Sequence, residues 1–233
     1  MAKKIARVNT KNAIEKRTQV LNEVLEDMSI INEIHVSIGN SKMGPIPSFS
    51  VLPFLTCTNC HGCGGFCYAA KGRFNMPKNI RGLAENTALL MKNPAFVEHE
   101  INKFLNQGTI IYKYFRFNVA VDIGGKVEEN YFPMILRIAN KNPWTRFLFF
   151  TKNYRLVNEY LNKAGKLPEN LQIVFSKWDN IPIENPHNLP VAIVKINDNT
   201  EIPAGSFHCS GDCANCLKCW LIEDGKTVYF DLH

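Results

Sequence analysis

The chain has 233 residues, of which 45% are hydrophobic and 21% are charged, and both values are close to the average for a soluble globular protein. This length is enough for one large domain with a sizeable core. No apolar run approaches the roughly 18 residues that a membrane-spanning helix needs, and the basic start of the chain lacks the apolar segment of a secretory signal. We therefore expect a cytoplasmic protein without a membrane partner.

The net charge of +6 is compatible with a nucleic acid or another polyanion as a partner. The 27 basic and 21 acidic residues are well mixed, however, and no long basic block occurs. We therefore interpret the charge first as that of an ordinary soluble surface, with nucleic-acid binding as the alternative.

Helix and strand signals alternate along most of the chain. The first signal is an amphipathic helix over residues 11–30, in which Asn12 and Glu15 resemble a capping box. Further helices are predicted over residues 77–92, 94–108, 127–141 and 153–164. Strands are predicted over residues 34–39, 109–123, 146–151, 171–176, 191–196 and 227–231. This alternation favours an α/β fold with a parallel sheet.

Several predicted strands have one apolar and one polar face. In the longest of them Phe115 and Phe117 share one face, whereas Arg116, Asn118 and Asp122 share the other. Strands that helices cover on both sides should be apolar throughout. We therefore predict an open or partial (β/α) barrel with parallel strands, whose polar strand faces line a lumen. An antiparallel sheet with one wet face is the alternative.

The active end of such a barrel lies at the C-terminal ends of its strands. Those ends hold Asp122, Lys152 and Ser176, and both cysteine-rich segments of the chain follow strand ends. The whole chain is then one domain made of an N-terminal helix, the partial barrel, and a C-terminal cysteine segment with the last strand, which cover residues 1–33, 34–200 and 201–233.

All 8 cysteines fall into two short runs. The first run, over residues 57–67, has the spacing C-x2-C-x2-C-x3-C, and the second, over residues 209–219, has this spacing reversed. The cysteines are Cys57, Cys60, Cys63, Cys67, Cys209, Cys213, Cys216 and Cys219. In a reducing compartment such runs indicate metal or redox chemistry rather than disulfides.

The spacing favours iron–sulfur clusters over zinc. A zinc ribbon separates its two cysteine pairs by about 15 to 20 residues, which the short first run does not provide. The first spacing is that of bacterial two-cluster ferredoxins, in which the fourth cysteine binds the other cluster. We predict two [4Fe–4S] clusters, and either each run closes its own cluster or Cys67 and Cys209 are exchanged. Zinc bound between cysteine pairs of the two runs is the alternative.

Charged and polar residues near the predicted clusters are the other candidate site residues. A cubane held by four thiolates carries negative charge, which the basic residues after Cys67 would offset. The candidate cofactor-binding residues are Lys71, Arg73 and Ser176. The candidate catalytic residues, for proton transfer, anion binding or lining of the lumen, are Asp122, Lys152, Arg116 and Asn118.

Motifs spread over residues 37–220 resemble a phage and mobile-element family known by a phage gene-product number, eighty-eight. They are the stretch over residues 38–49, Cys67-Tyr68-Ala69, Arg116 with Asp122, Phe150-Thr151-Lys152, and the final cysteines with Trp220. The resemblance implies a distant relation to radical-SAM proteins, with a partial barrel, cysteines after the first strand, and SAM as a further cofactor to consider.

The chain departs from the family in two ways, and its cysteine spacing weakens the expectation of SAM. The resembling proteins have glycine where this chain has Val121, and fewer cysteines ahead of Cys67. Radical-SAM enzymes carry C-x3-C-x2-C after the first strand, whereas here that spacing runs from Cys209 to Cys216 near the other end of the chain. The four thiols of the first run are also enough to bind all four irons of a cubane.

The leading interpretation is an iron–sulfur protein with a redox or enzymatic role, which acts on a small molecule or a nucleic acid and exchanges electrons with a redox partner. It predicts a polar pocket beside an exposed cluster. The alternative is a zinc-stapled nucleic-acid-binding protein of a phage or mobile element, which predicts a contiguous basic face and salt-sensitive binding.

Overall fold

A computed structural model describes residues 7–57, 63–108, 110–178 and 181–232. The helices are α1 (Thr10–Glu26), α2 (Pro77–Lys92), α3 (Pro94–Leu105), α4 (Glu128–Lys141), α5 (Tyr154–Ala164) and α6 (Cys213–Cys216). The strands are β1 (Val36–Ser37), β2 (Ser48–Phe49), β3 (Tyr114–Phe117), β4 (Arg146–Thr151), β5 (Leu171–Lys177), β6 (Val191–Lys195), β7 (Phe207–His208) and β8 (Thr227–Asp231). None of the described helices is long and apolar enough to cross a membrane.

The strands form one mostly parallel sheet in the order β1-β2-β3-β4-β5-β6-β8-β7. The β1–β2 pair is antiparallel, and the pairs from β2 to β7 are parallel. The predicted mixed α/β fold with a parallel sheet is therefore confirmed. A partial (β/α) barrel shares this order, in which strands from β1 to β6 lie side by side in the order of the chain.

Local sequence signals explain where three of the described helices begin. Pro77 and Pro94 stand at the first turns of α2 and α3, where a missing backbone N–H costs nothing. The Asn93 side chain caps α3 by accepting a hydrogen bond from the Phe96 N–H, and Asn153 caps α5 in the same way. The predicted bounds of α2 and β4 are confirmed to the residue.

Three predicted elements differ from the structure. The strand expected over 109–123 is reduced to β3, because Asn118 adopts φ +56° and turns the chain away from the sheet. The first helix begins at Thr10 and is capped by Asn9, which accepts from the Asn12 N–H, so the predicted capping box is wrong. The strand expected over 34–39 is reduced to β1, which has 2 residues.

The two faces of the sheet are covered by different parts of the chain. Side chains such as Phe115 and Phe147 pack with α2, α3, α4 and α5 in the main core. On the opposite face Leu148 and Val174 pack with Met43, Trp220 and the second cysteine run. This face was expected to line a polar lumen. Instead, the C-terminal segment covers it with apolar side chains, and the Trp220 indole donates to the Phe115 carbonyl at 3.3 Å.

Candidate metal centre

Both cysteine runs follow strands that end at the same edge of the sheet. The first run comes after β2, and Cys209 directly follows β7. Because these strands belong to one parallel array, the chain leaves its C-terminal edge before it reaches the described cysteines of either run, as predicted. The described cysteines are Cys57, Cys63, Cys67, Cys209, Cys213, Cys216 and Cys219, and none of them forms a disulfide. Cys60 lies outside the described residues.

Burial favours the protonated form of two thiols of the first run, Cys57 and Cys67. It raises the pKa of Cys57 to about 12, helped by the nearby Asp122 charge. Burial also raises the pKa of Cys67, whereas the cations of Lys152 and Arg17 act to lower it. A metal that binds here must displace these protons, so its binding is coupled to pH.

Asp122 is fixed beside the first run by three hydrogen bonds. Its carboxylate accepts from the Thr151 hydroxyl at 2.6 Å, the Lys152 backbone N–H at 2.7 Å and the Ile123 N–H at 2.8 Å. Burial raises the pKa of Asp122, while the Lys152 cation and these hydrogen bonds oppose the change. The carboxylate therefore ties the segment after β3 to the end of β4.

Lys152 supplies positive charge to the same place. Burial acts to lower the pKa of its ammonium, but the neighbouring groups of Cys63, Asp122 and Cys57 outweigh burial and raise the pKa. Lys152 is thus held as a cation beside the thiols of the first run. The sequence prediction placed Asp122 and Lys152 in one site, and the structure brings them together.

Arg17 of α1 was missed by the sequence prediction. Its side chain is fully buried and donates to the carbonyls of Ala69 at 2.8 Å and Ala13 at 3.1 Å. The guanidinium also lies over the Phe54 ring, 5.0 Å from its centroid. The available signal was its position, because Arg17 occupies the buried stripe of α1 with Ala13 and Leu21, where an apolar residue is expected.

The four cysteines of the second run surround one shallow cavity. It is lined by Cys209, Cys213, Cys216 and Cys219 together with Phe207 and Trp220. Burial raises the pKa of Cys219 to about 12, and repulsion from Cys209 adds to this effect. The Arg116 cation acts to lower the pKa of Cys219. Burial also raises the pKa of Cys213, and the cations of Arg116 and Lys42 oppose this increase.

A tight loop over residues 40–44 holds the second run against the sheet. The Asn40 side chain accepts from the N–H groups of Lys42 at 3.0 Å and Met43 at 2.9 Å. The Lys42 carbonyl accepts from the Cys213 N–H at 2.8 Å. Gly44 adopts φ +61°, and an added Cβ would lie 2.5 Å from the Ala214 Cβ. This close approach explains why glycine stands in the motif that the resemblance singled out.

The segment after β3 separates the two runs. Val119 packs against the same buried residues as Cys209, Cys213 and Cys219, whereas the next residue, Ala120, packs against the same buried residues as Cys57 and Cys67. The Val119 carbonyl accepts hydrogen bonds from both sides. One comes from the Tyr68 hydroxyl, next to the first run, and the other from Arg116, beside the second run, at 3.4 Å.

The remaining predicted residues lie in different places. Asn118 faces the helix side, where it accepts from the buried Tyr131 hydroxyl at 2.9 Å, so its expected place on the lumen face is wrong. Ser176 lies in β5, and its backbone carbonyl accepts from a tyrosine hydroxyl. Lys71 follows the turn Tyr68–Ala70, and Arg73 is exposed on the next turn.

The donor chemistry of both runs fits a thiophilic metal. Thiolates are the preferred ligands of iron–sulfur clusters and also of zinc. Within the described part of the chain, no three cysteine, histidine or acidic side chains form a ready-made site for one metal ion. The four thiols around one cavity and the cations beside each run nevertheless provide the ligands and the countercharge that an anionic cluster needs.

Comparison with known proteins places the chain in a family. No curated protein and no solved structure matches it significantly. A sequence model described as Gene product 88 matches residues 4–215, which include the whole first cysteine run and Cys209 and Cys213 of the second. With nearly its full length matched, the chain belongs to the Gene product 88 family.

Proposed function

We propose that the chain is an iron–sulfur protein with one [4Fe–4S] cluster at each cysteine run. Cys57, Cys60, Cys63 and Cys67 would hold the first, and Cys209, Cys213, Cys216 and Cys219 the second. Such clusters supply one-electron exchange, with a potential set by net charge, hydrogen bonds to sulfur and exposure. A redox role toward a small-molecule or nucleic-acid substrate follows from this chemistry.

The observation that carries the proposal is the second run. Its four cysteines line one cavity and form no disulfide. They act electrostatically on one another, because the groups of Cys209, Cys213 and Cys216 all raise the pKa of Cys219. Four thiols along one cavity, with the Arg116 cation acting on Cys213 and Cys219, supply donors and countercharge that suit a cluster.

The contacts support closure of each cluster by its own run. The groups that act on Cys67 are Cys63, Lys152 and Arg17. Those that act on Cys219 are the other cysteines of the second run and Arg116. The segment that contains Val119 and Ala120 stands between the two sets, so an exchange of Cys67 and Cys209 has no support from these contacts.

Asp122 and Lys152 are proposed as the polar pair of the first site. Asp122 orients the backbone of Lys152, and the ammonium stands beside the thiols of Cys57 and Cys63. This placement suits the binding of an anionic substrate group or the movement of a proton. We do not propose SAM as a cofactor, because four thiols in each run would ligate all four irons of a cluster and leave none for SAM to bind.

Anaerobic purification of the full chain tests the proposal. We expect a brown protein with a broad visible absorption that dithionite bleaches and a reduced-cluster signal in electron paramagnetic resonance (EPR). The matched control is a chain with all its cysteines replaced by serine, which should be colourless. A colourless wild-type chain with stoichiometric zinc would overturn the proposal and favour the zinc-stapled nucleic-acid-binding alternative.

A further inference from the structure

Arg116 projects from β3 toward the second cysteine run. Its guanidinium lies over the Phe150 ring, 4.9 Å from the centroid. Phe150 and Val119 both pack in the apolar cluster that contains Cys209, Cys213 and Cys219. The guanidinium therefore lies against the apolar core on which three proposed ligands of the second iron–sulfur cluster also pack, and its charge acts on Cys213 and Cys219.

The hydrogen bonding of Arg116 is incomplete. One terminal nitrogen donates to the Val119 carbonyl at a long 3.4 Å. The buried Nε has no hydrogen-bond partner among the described residues. A buried donor without a partner is unfavourable, so its presence beside thiols suggests that an anionic group completes its bonding. Cluster sulfides and thiolate ligands are acceptors of this kind.

We propose that Arg116 is a positioning residue that holds positive charge and an N–H donor against the second cluster and thereby raises its reduction potential. The inference rests on the proposed function. Reduction adds one negative charge to a cluster, so a nearby cation favours the reduced form. Arginine suits this role because its planar group stacks on Phe150 and still presents donors at its edge.

Redox titration of the loaded full-length chain, followed by EPR, tests this role. Arg116→Gln removes the charge, and we expect one cluster to bind its electron at least tenfold less tightly, a downward shift of about 59 mV or more for a one-electron couple. Arg116→Lys keeps the charge but loses the planar fork, so a smaller shift is expected. A Cys63→Ser variant identifies which EPR signal belongs to the first cluster. The potential of that first cluster should be unchanged in both Arg116 variants.

Arg146→Gln is the matched control, because it also removes one positive charge. Arg146 is exposed at the start of β4, whereas Phe150, on which Arg116 stacks, lies near the end of this strand. We expect no change in either potential. If both Arg116 variants keep about eight irons and wild-type potentials, the inference is overturned and the proposed function stands. If Arg116→Gln loses the second cluster, the Arg116→Lys titration decides: a downward shift supports the inference, and a wild-type potential overturns it. A wild-type chain without iron overturns the proposed function itself.

Discussion

Buried polar residues hold the segment after β3 in place. Asp122 is 6% exposed and Asn118 is 1% exposed, yet each forms hydrogen bonds that cross from one element to another. Asp122 joins β4, and Asn118 joins the Tyr131 hydroxyl of α4. These two residues fix both ends of the segment that separates the cysteine runs.

Substitution Asp122→Asn should destabilise the chain. The asparagine NH2 group would replace one carboxylate oxygen, which now accepts from the backbone N–H of Lys152 or Ile123. Donor would then face donor. We expect the free energy of unfolding to fall by about 1–3 kcal/mol, because at least one buried donor loses its acceptor. Denaturant unfolding measures this, with the exposed Asp198→Asn as control. Equal stability of the two variants would contradict the role of Asp122.

The pH dependence of stability should report on Tyr131. Burial raises the pKa of its hydroxyl well above the ordinary value of 10.0. An acid whose pKa is raised on folding gives stability that is fully present below pH 10 and is lost as the pH rises further. Unfolding should therefore show a shallower loss above pH 10 in Tyr131→Phe than in the wild type. Parallel pH profiles would refute the burial of this hydroxyl.

At the scale of elements, two contacts attach the cysteine runs to the fold. Arg17 joins α1 to the turn Tyr68–Ala70, directly after the first run. The loop over residues 40–44 packs against α6, which contains two cysteines of the second run. Each contact links a short, irregular segment to a more distant part of the chain.

Substitution Gly44→Ala should weaken binding of the proposed second cluster. The new Cβ would lie 2.5 Å from that of Ala214, so loop and helix must separate. Iron loss to a chelator should be faster than in the wild type, with about four irons lost first. Gly165→Ala is the control, since its φ of +77° is equally strained but nothing lies within 4 Å. Equal iron loss from both variants would show that the contact is unimportant.

Substitution Arg17→Met should affect the first cluster alone. Methionine keeps an apolar stem but leaves the Ala69 carbonyl without its donor and removes a cation that acts on Cys67. We expect the iron content to fall from about eight to about four per chain. The exposed neighbour Lys16→Met should keep its iron. Full iron content in Arg17→Met would show that Arg17 is not needed to bind the first cluster.

At the scale of the whole molecule, sequence periodicity predicted the scaffold but not its smallest parts. Pro77 marked the start of α2, and asparagine caps marked the starts of α3 and α5. By contrast, β2 and β7 have 2 residues each and exist only through pairing with distant strands. The positive φ of Asn118 also has no local signal strong enough to shorten a strand of alternating residues.

The candidate site was predicted in part for the same reason. Cysteine spacing and strand ends identified both runs, Asp122 and Lys152. Arg17 could not be assigned, because its role depends on a contact with residue Ala69, 52 positions away. Arg116 was assigned to the correct face, but the C-terminal segment that covers this face gives it different neighbours from those expected.

Two separate clusters are proposed beyond the C-terminal edge of the parallel sheet, with Lys152 and Arg17 acting on the first run and Arg116 and Lys42 on the second. The count of iron and acid-labile sulfide per chain tests this most directly, in the anaerobic wild type and in two variants, Cys63→Ser with Cys67→Ser and Cys213→Ser with Cys216→Ser. We predict about eight of each in the wild type and about four in either variant. Zinc in place of iron, or the loss of all iron from either variant, would contradict two independent clusters.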